Sequence, residues 1–520
     1  MLKLFHTIKY LKPIQIYYRL FYLLKKQIPT QQTLPPIPSH PISHRLELIP
    51  SIPSETSYQT PNTFTFLNQT QHFPKTIDWN HQDFGKLWSY NLNYFEFLNQ
   101  PNMEKEIGVS LIYAYINKFT ELNDGLEPFP TSLRGINWIK FLTHHAIQDP
   151  LIDITLLKQY HHLLYHIEYH LLGNHLLENG FSLLYGAYYF HDERLYDKAK
   201  SILMEELHEQ ILEDGGHFEL SPMYHQIMLF RLLESINLIQ HNRWKSDDLL
   251  RYLEKRAKLM LGWLQQITFH NGTIPRLNDS AYNIAPTTQA LNHYAKRLNI
   301  TPHIVNLSDS GYRMRRGLSY EMVIDIGQIG PDYIPGHAHS DTFNFELTIH
   351  NQPFIVDTGI STYNVNTRRM IERSTSSHNT VELNGIDQSE VWGGFRVARR
   401  AYVTLQHEDK KRIQATHNGY VKRLGALHQR LYLFYPDRII IQDRVEASHN
   451  IPAIARLHFH PDVDIEVQGD KLICNDTTIH IRNTLFELKT YQYASQFNSL
   501  QDAFMVEISF TNHLNVEILL

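Results

Sequence analysis

In the segment PGHAHSDTFNFELTIHNQPFIVDTG, residues 335–359, His337 and His339 stand one residue apart and Asp357 lies near the end. His378 follows in SSHNTVELNG. In extended backbone, residues i and i+2 share a face, so the two imidazoles can aim at one point. Asp357 and His378 fall at the ends of the next expected strands. Two imidazoles and a carboxylate suit a zinc ion. The same side chains can equally satisfy hydrogen bonds at strand ends.

A second set of candidates has helical surroundings. In DGGHFELSPMYHQIMLFRLLE, Ser221 is a good N-cap and Pro222 suits the first helical position. That places Tyr224 in the first turn, where the positive end of the helix dipole favours a phenolate and hence a base. The alternative is a core tyrosine anchored by its ring. His225 beside it is a substrate-binding candidate. In LLGNHLLENG, Asn174 and His175 form a polar pair inside an apolar helix, which needs either partners or a function. FPTSLRGINWIKFL and LWSYNLNYFEFL add Arg134, Asn137, Trp138, Trp88 and Asn93 as sugar-cleft candidates that can equally be structural. In SEVWGGFRVARRA, Arg396, Arg399 or Arg400 can pair with a carboxylate in bidentate fashion or face solvent at a strand end.

The elements that must position these residues change character along the chain. Residues 28–75 are rich in Pro, Ser, Thr and Gln and read as an arm with little structure of its own. From about 88 to 300, apolar residues recur at three- and four-residue spacing, as in DITLLKQYHHLLYHIEYHLL and SPMYHQIMLFRLLESINLIQ. After about 305 the segments are short, alternate in twos and are punctuated by Gly, Asn, Asp and Pro, as in RLYLFYPDRIIIQDRVEA. Strands follow strands with no helices between, so the sheets should be antiparallel and stacked. The reading is a multidomain α+β chain: an N-terminal basic helix and Pro-rich arm over 1–84, a helical domain over 85–305 and an antiparallel β-sandwich over 306–520. Paired helices can close into a toroid, which periodicity alone does not show.

The 520 residues allow two or three domains. A net charge of −5 gives no basic excess for nucleic acid, so a polyanionic substrate requires a local basic cleft. The single cysteine, Cys474, excludes an intrachain disulfide and cysteine-based zinc motifs. The basic, aromatic N-terminus MLKLFHTIKYLKPIQIYYRLFYLLKKQIP is interrupted by Lys3, Lys9 and Lys12, and it shows neither a signal-peptide core nor a membrane span. It is either a helix docked on its own protein or an interfacial helix touching anionic lipid.

From about residue 85 onward the chain resembles the heparinase II/III-like and alginate-lyase-like polysaccharide lyases. The resemblance rests on GNHLLENGFSLLYGAYYF, DGGHFELSPMYHQ, GHAHSDTFNFEL, IVDTGISTY and SSHNTVELNG, in that order and spacing. It implies an incomplete (α/α) toroid followed by an antiparallel β-sandwich, with a cleft between them. It also implies β-elimination at a uronic-acid bond: the C5 carboxylate is neutralised, the C5 proton removed and the C4 leaving oxygen protonated. No organic cofactor is needed. By resemblance Asn174 neutralises the carboxylate, Tyr224 and His337 transfer protons, and His339, Asp357 and His378 bind a mainly structural zinc.

The expected partner is an acidic polysaccharide, with no nucleic acid and no integral membrane span, and a monomer or homodimer is expected. Without a signal peptide, a bacterial cytoplasmic or inner-membrane-peripheral site is expected, with a role in surface-polysaccharide metabolism. Three other readings fit the same residues. A uronate C5-epimerase shares the first proton transfer. A glycoside hydrolase needs two carboxylates, for which Asp214 and Glu219 are available. The last is a non-catalytic glycan binder.

Overall fold

A computed structural model describes residues 2–27 and 42–520. The TQQTLPPIPSHP stretch of the expected arm therefore lies outside the described residues. Two short helices come first, α1 (Leu2–Ile8) and α2 (Pro13–Gln27). The later part of the arm is more ordered than its composition suggests. Tyr58–Gln59, Thr63–Phe66 and Gln69–His72 pair as a small antiparallel sheet, β1–β3. Its Phe64 and Phe66 pack against Trp79 and Trp88 of the helical core. The alternation TFTF, a period of two, is the signal that the arm reading overlooked.

Among the described residues nine helices of the toroid follow: α3 (Lys86–Tyr94), α4 (Lys105–Lys118), α5 (Pro128–His144), α6 (Pro150–Tyr165), α7 (Gly173–Phe190), α8 (Glu193–Gln210), α9 (Pro222–His241), α10 (Asp248–Ile267) and α11 (Thr288–Arg297). The odd-numbered members α3, α5, α7 and α9 pack on one another as an inner row, and the even-numbered α4, α6, α8 and α10 as an outer row. The burial follows the rows. Almost every residue of α7 is buried, whereas α8 buries one stripe, as expected for a helix enclosed on all sides and for one facing water. Asp149, Asp192, Ser221 and Thr287 cap their helices with side-chain acceptors. Among the described residues no helix is long and apolar enough to cross a membrane.

The sandwich begins with β4 (Tyr312–Arg316), β5 (Tyr320–Asp325), β6 (Phe345–Ile349) and β7 (Gln352–Ile355), a four-stranded sheet in sequence order. Helix α12 (Thr367–Glu372) follows, then β8 (Val381–Leu383), β9 (Val391–Trp392) and β10 (Arg396–Val397). The remaining strands are β11 (Val403–Glu408), β12 (Arg412–His417), β13 (Leu427–Phe434), β14 (Arg438–Glu446), β15 (Ala453–His458), β16 (Ile465–Gln468), β17 (Lys471–Cys474), β18 (Thr477–Ile481), β19 (Leu485–Gln496), β20 (Ser499–Phe510) and β21 (His513–Leu519). They form an eight-stranded sheet, β11-β12-β13-β14-β21-β18-β17-β16, and a four-stranded sheet, β19-β20-β15-β8. All strand pairs are antiparallel, and β13 buries every second residue. Phe345 and Leu347 share one apolar core with Tyr432, Ile439 and Ile441 of the large sheet.

Candidate active site

The loop between α10 and α11 stitches the toroid to the sandwich. Ser221, the cap of α9, accepts from the backbone N–H of Tyr224 (3.2 Å) and donates to the carbonyl of Asp279 (2.7 Å). Asn278 donates to the carbonyl of Leu220 (3.0 Å), and its side-chain oxygen accepts from the N–H of His339 (2.9 Å). One loop thus fixes the start of α9 relative to the histidine segment.

Asp279 is the centre of this arrangement. It is fully buried, and it accepts from His337 Nδ1 (2.9 Å), from His339 Nε2 (2.8 Å) and from both terminal nitrogens of Arg369 on α12. Burial would raise its pKa, but the Arg369 guanidinium and the two histidines hold it well below the usual carboxylate range. An ionised Asp279 accepting at Nδ1 leaves His337 Nε2 as the nitrogen free for proton transfer. His337 and His339 are not in a strand: residues 335–344 are irregular. They converge from two sides on one carboxylate rather than lying side by side on a sheet face.

The His337 ring stacks on the Tyr224 ring with centroids 3.8 Å apart. The Tyr224 hydroxyl lies 3.4 Å from that of Tyr363, a residue of the STYNV turn to which the sequence reading gave no role. Burial raises the pKa of both phenols. The helix dipole expected to favour a Tyr224 phenolate is outweighed by desolvation, so the resting phenol is protonated.

Glu219 closes the opposite side. One of its carboxylate oxygens accepts the backbone N–H of Asn174 (3.0 Å), and the other lies 3.4 Å from His337 Nε2. Burial raises its pKa, against the pull of His337 and the Asn174 N–H. Gly173 makes the approach possible: its φ is +60°, and a Cβ there would sit 2.8 Å from the Glu219 carboxylate. Asn174 is itself buried at the start of α7, and among the described residues its side-chain amide has no hydrogen-bond partner. His175 is half-buried, bonded through Nδ1 to Glu168 (3.2 Å) and packed on Phe129. Burial opposes its charging, but Glu168 raises its pKa.

Most of the sugar-cleft candidates belong to the interior. Arg134 donates to Gln159 and to the carbonyls of Asn93 and Gly125. Asn93 bonds the carbonyls of Trp79 and Ser89, and Asn137 that of Tyr94. These carbonyls lie around the end of α3, where Phe95 turns left-handed, and the buried polar groups satisfy them. Trp88 and Trp138 are fully buried. His225 is buried between the N–H of His217 and the carbonyl of Met260, and burial lowers its pKa to about 4. Of the three arginines, Arg399 is paired with Glu390 and Arg400 with Asp332. Arg396 is exposed over the Trp392 ring, next to Phe395, whose ring meets that of His337 at 6.3 Å.

The expected metal residues are buried together. His339 and His378 have ring centroids 5.2 Å apart, and His339 Nδ1, His378 Nε2 and the neighbouring Asp341 Oδ2 are buried without hydrogen-bond partners among the described residues. Asp357 holds His378 through Nδ1 (2.7 Å) and also accepts from Asn344 and the N–H of Gly359. It orients the histidine from behind, as carboxylates do for ligating imidazoles. Among the described residues no three acidic, histidine or cysteine side chains are already gathered around one point as a metal centre. Two orphaned imidazole nitrogens and an orphaned carboxylate oxygen nevertheless fit the donor chemistry of zinc.

The heparinase II/III N-terminal pattern matches residues 132–305, and the heparinase II/III-like C-terminal pattern matches residues 299–504. The chain belongs to the heparinase II/III-like family. Two curated members, the heparin-sulfate lyases of Bacteroides stercoris and Pedobacter heparinus, are 24% and 25% identical over 45% of this chain and 40% of their own length. The chain thus covers less than half of these relatives. Solved heparinase II/III-like structures share the fold. A heparinase III structure superposes with a TM-score of 0.67 at 15% identity, covering 86% of this chain and 80% of that one. A heparan sulfate lyase mutant from Pedobacter heparinus gives 0.57 at 18% identity, covering 88% and 81%. The incomplete toroid and antiparallel β-sandwich are therefore those of the family.

Proposed function

We propose that the protein is a polysaccharide lyase that cleaves a uronic-acid-containing acidic polysaccharide by β-elimination. The carrying observation is the convergence of Asn174, Tyr224 and His337 at the junction of the two domains. One carboxylate, Glu219, links Asn174 to His337, and His337 stacks on Tyr224. The similarity to heparin-sulfate lyases supports the same reading.

In this proposal the unpartnered Asn174 amide donates to the C5 carboxylate and to the enolate that develops on proton loss, as an oxyanion-hole donor does. His337, held by Asp279, offers Nε2 to take the C5 proton. Tyr224, protonated at rest, supplies the proton for the C4 oxygen. Arg396 at the rim contacts a substrate carboxylate.

A zinc held by His339, His378 and the Asp341 carboxylate, with Asp357 orienting His378 from behind rather than ligating as expected, would fix the loop that carries His337 and has no other part in this scheme. The hydrolase alternative loses its second carboxylate: Asp214 is buried and spent on Gly216, Ser308 and Ser310.

Product analysis in heavy-oxygen water tests the reaction class. Elimination leaves one C4=C5 unsaturated end per cleaved bond and takes up no solvent oxygen. Solvent oxygen at the new reducing end would mean hydrolysis, and deuterium at C5 of an uncleaved polymer in deuterated water would mean epimerisation.

A further inference from the structure

Helix α2 is seated in the reverse of the usual sense for a helix on a globular protein. It docks through a polar and aromatic stripe at i, i+3 and i+7: Gln15, Tyr18 and Tyr22. Buried Gln15 donates to the carbonyl of Leu171 (3.0 Å) and reaches that of Tyr333 (3.4 Å). Tyr18 stacks on Tyr169, and the Tyr22 hydroxyl donates to the carbonyl of Ile167 (2.8 Å). The aliphatic residues turn outward instead. Leu20, Leu23 and Leu24 are 56%, 61% and 60% exposed, and Phe5 of α1 is 64% exposed, with Leu2, Leu4 and Ile16 also facing solvent. An ordinary surface helix buries its apolar stripe and presents its polar one. A contiguous exposed apolar face of this kind marks an interaction surface.

Charge indicates what covers it. The chain carries Lys3, Lys9, Lys12, Arg19, Lys25, Lys26 and Arg45 before its first acidic residue, Glu47, although its net charge is −5. Lys12 is spent on Glu209. Lys3, Lys9 and Arg19 are exposed beside the apolar face. A second copy docked through the same face would set cation against cation. An anionic lipid surface instead accepts both the aliphatic face and the cations.

We propose that α1 and α2 form an interfacial anchor that lies on an anionic lipid bilayer. The anchor is tied to both domains beside the candidate active site. Gln15 grips Leu171, three residues before Asn174, and Tyr333, four residues before His337, while Thr7 of α1 accepts from Trp392 Nε1 (3.2 Å). A bilayer bound there lies next to the rim of the cleft, so the cleft works at the membrane surface.

Flotation of the full chain tests this with vesicles of mixed phosphatidylglycerol and phosphatidylcholine against phosphatidylcholine alone. The anchor predicts at least about tenfold more bound protein with the anionic vesicles, and less as salt rises. Leu20→Glu/Leu24→Glu abolishes flotation, and Lys3→Glu/Lys9→Glu lowers it about tenfold or more. Both variants keep the wild-type melting temperature, because these side chains already face solvent. Absence of flotation with anionic vesicles overturns the proposal, as does equal flotation with both vesicle types. Flotation undiminished in Leu20→Glu/Leu24→Glu overturns it too, as does a vesicle-free dimer that this variant dissociates while neither protein floats.

Discussion

The Nδ1 atom of His337 lies 2.9 Å from Asp279, and the same carboxylate holds His339 Nε2 at 2.8 Å. A single buried aspartate thus orients both the proposed base and a proposed metal ligand. Arg369 balances its charge. This geometry couples the toroid, which supplies Asp279, to the sandwich, which supplies the histidines.

Asp279→Asn should cost activity and stability together. Turnover should fall by about 10²-fold or more, since the His337 tautomer is no longer fixed. Arg369 loses its buried partner, at a cost of about 3–5 kcal/mol. Because the native pKa of Asp279 is depressed, its contribution is fully present above the unfolded carboxyl value of about 3.9. It is lost as pH falls through the lower native value. Denaturant melts should therefore show the gap between wild type and variant narrowing below about pH 4.

Glu219→Gln should behave in the opposite way. Burial raises the native pKa of Glu219, so the wild-type carboxyl weighs against folding progressively above its unfolded value of about 4.3. The variant should match the wild type in acid and become the more stable of the two as pH rises through that interval. Activity should drop by about tenfold or more as the charge beside His337 disappears. Melts and rates measured on the same samples check both signs.

Asn174→Ala should lower kcat by about 10²–10³-fold, the scale of losing one oxyanion donor. The melting temperature should scarcely change, because the side-chain amide has no partner among the described residues. A large loss of stability would instead show a structural amide.

His339→Ala and His378→Ala should each abolish bound zinc measured by elemental analysis of the purified protein. Asp357→Asn should weaken zinc binding by about 10–100-fold through loss of the His378 orientation. Zinc content unchanged in both histidine variants would remove the metal proposal without touching Asn174 or Tyr224.

The change from helical to two-residue periodicity was legible in the sequence, and so were the cap at Ser221–Pro222 and the types of Asn174, Tyr224 and His337. Asp279 was not. It sits in an aperiodic loop 58 residues from His337, and nothing in local pattern joins the two. The sugar-cleft assignments failed for a related reason. Arg134, Asn137 and Asn93 are polar residues on helices, and pattern alone cannot separate a polar group facing a cleft from one satisfying a carbonyl inside a toroid. The dipole argument for Tyr224 had the right helix and position but omitted burial, which acts more strongly on the phenol.

The most direct test is ultraviolet detection of C4=C5 unsaturation when the purified protein meets a panel of uronate polymers, with Tyr224→Phe alongside. The account predicts rising absorbance on at least one polymer and a loss of about 10²-fold or more in the variant. A flat trace on every polymer, or an equal rise with Tyr224→Phe, would contradict it.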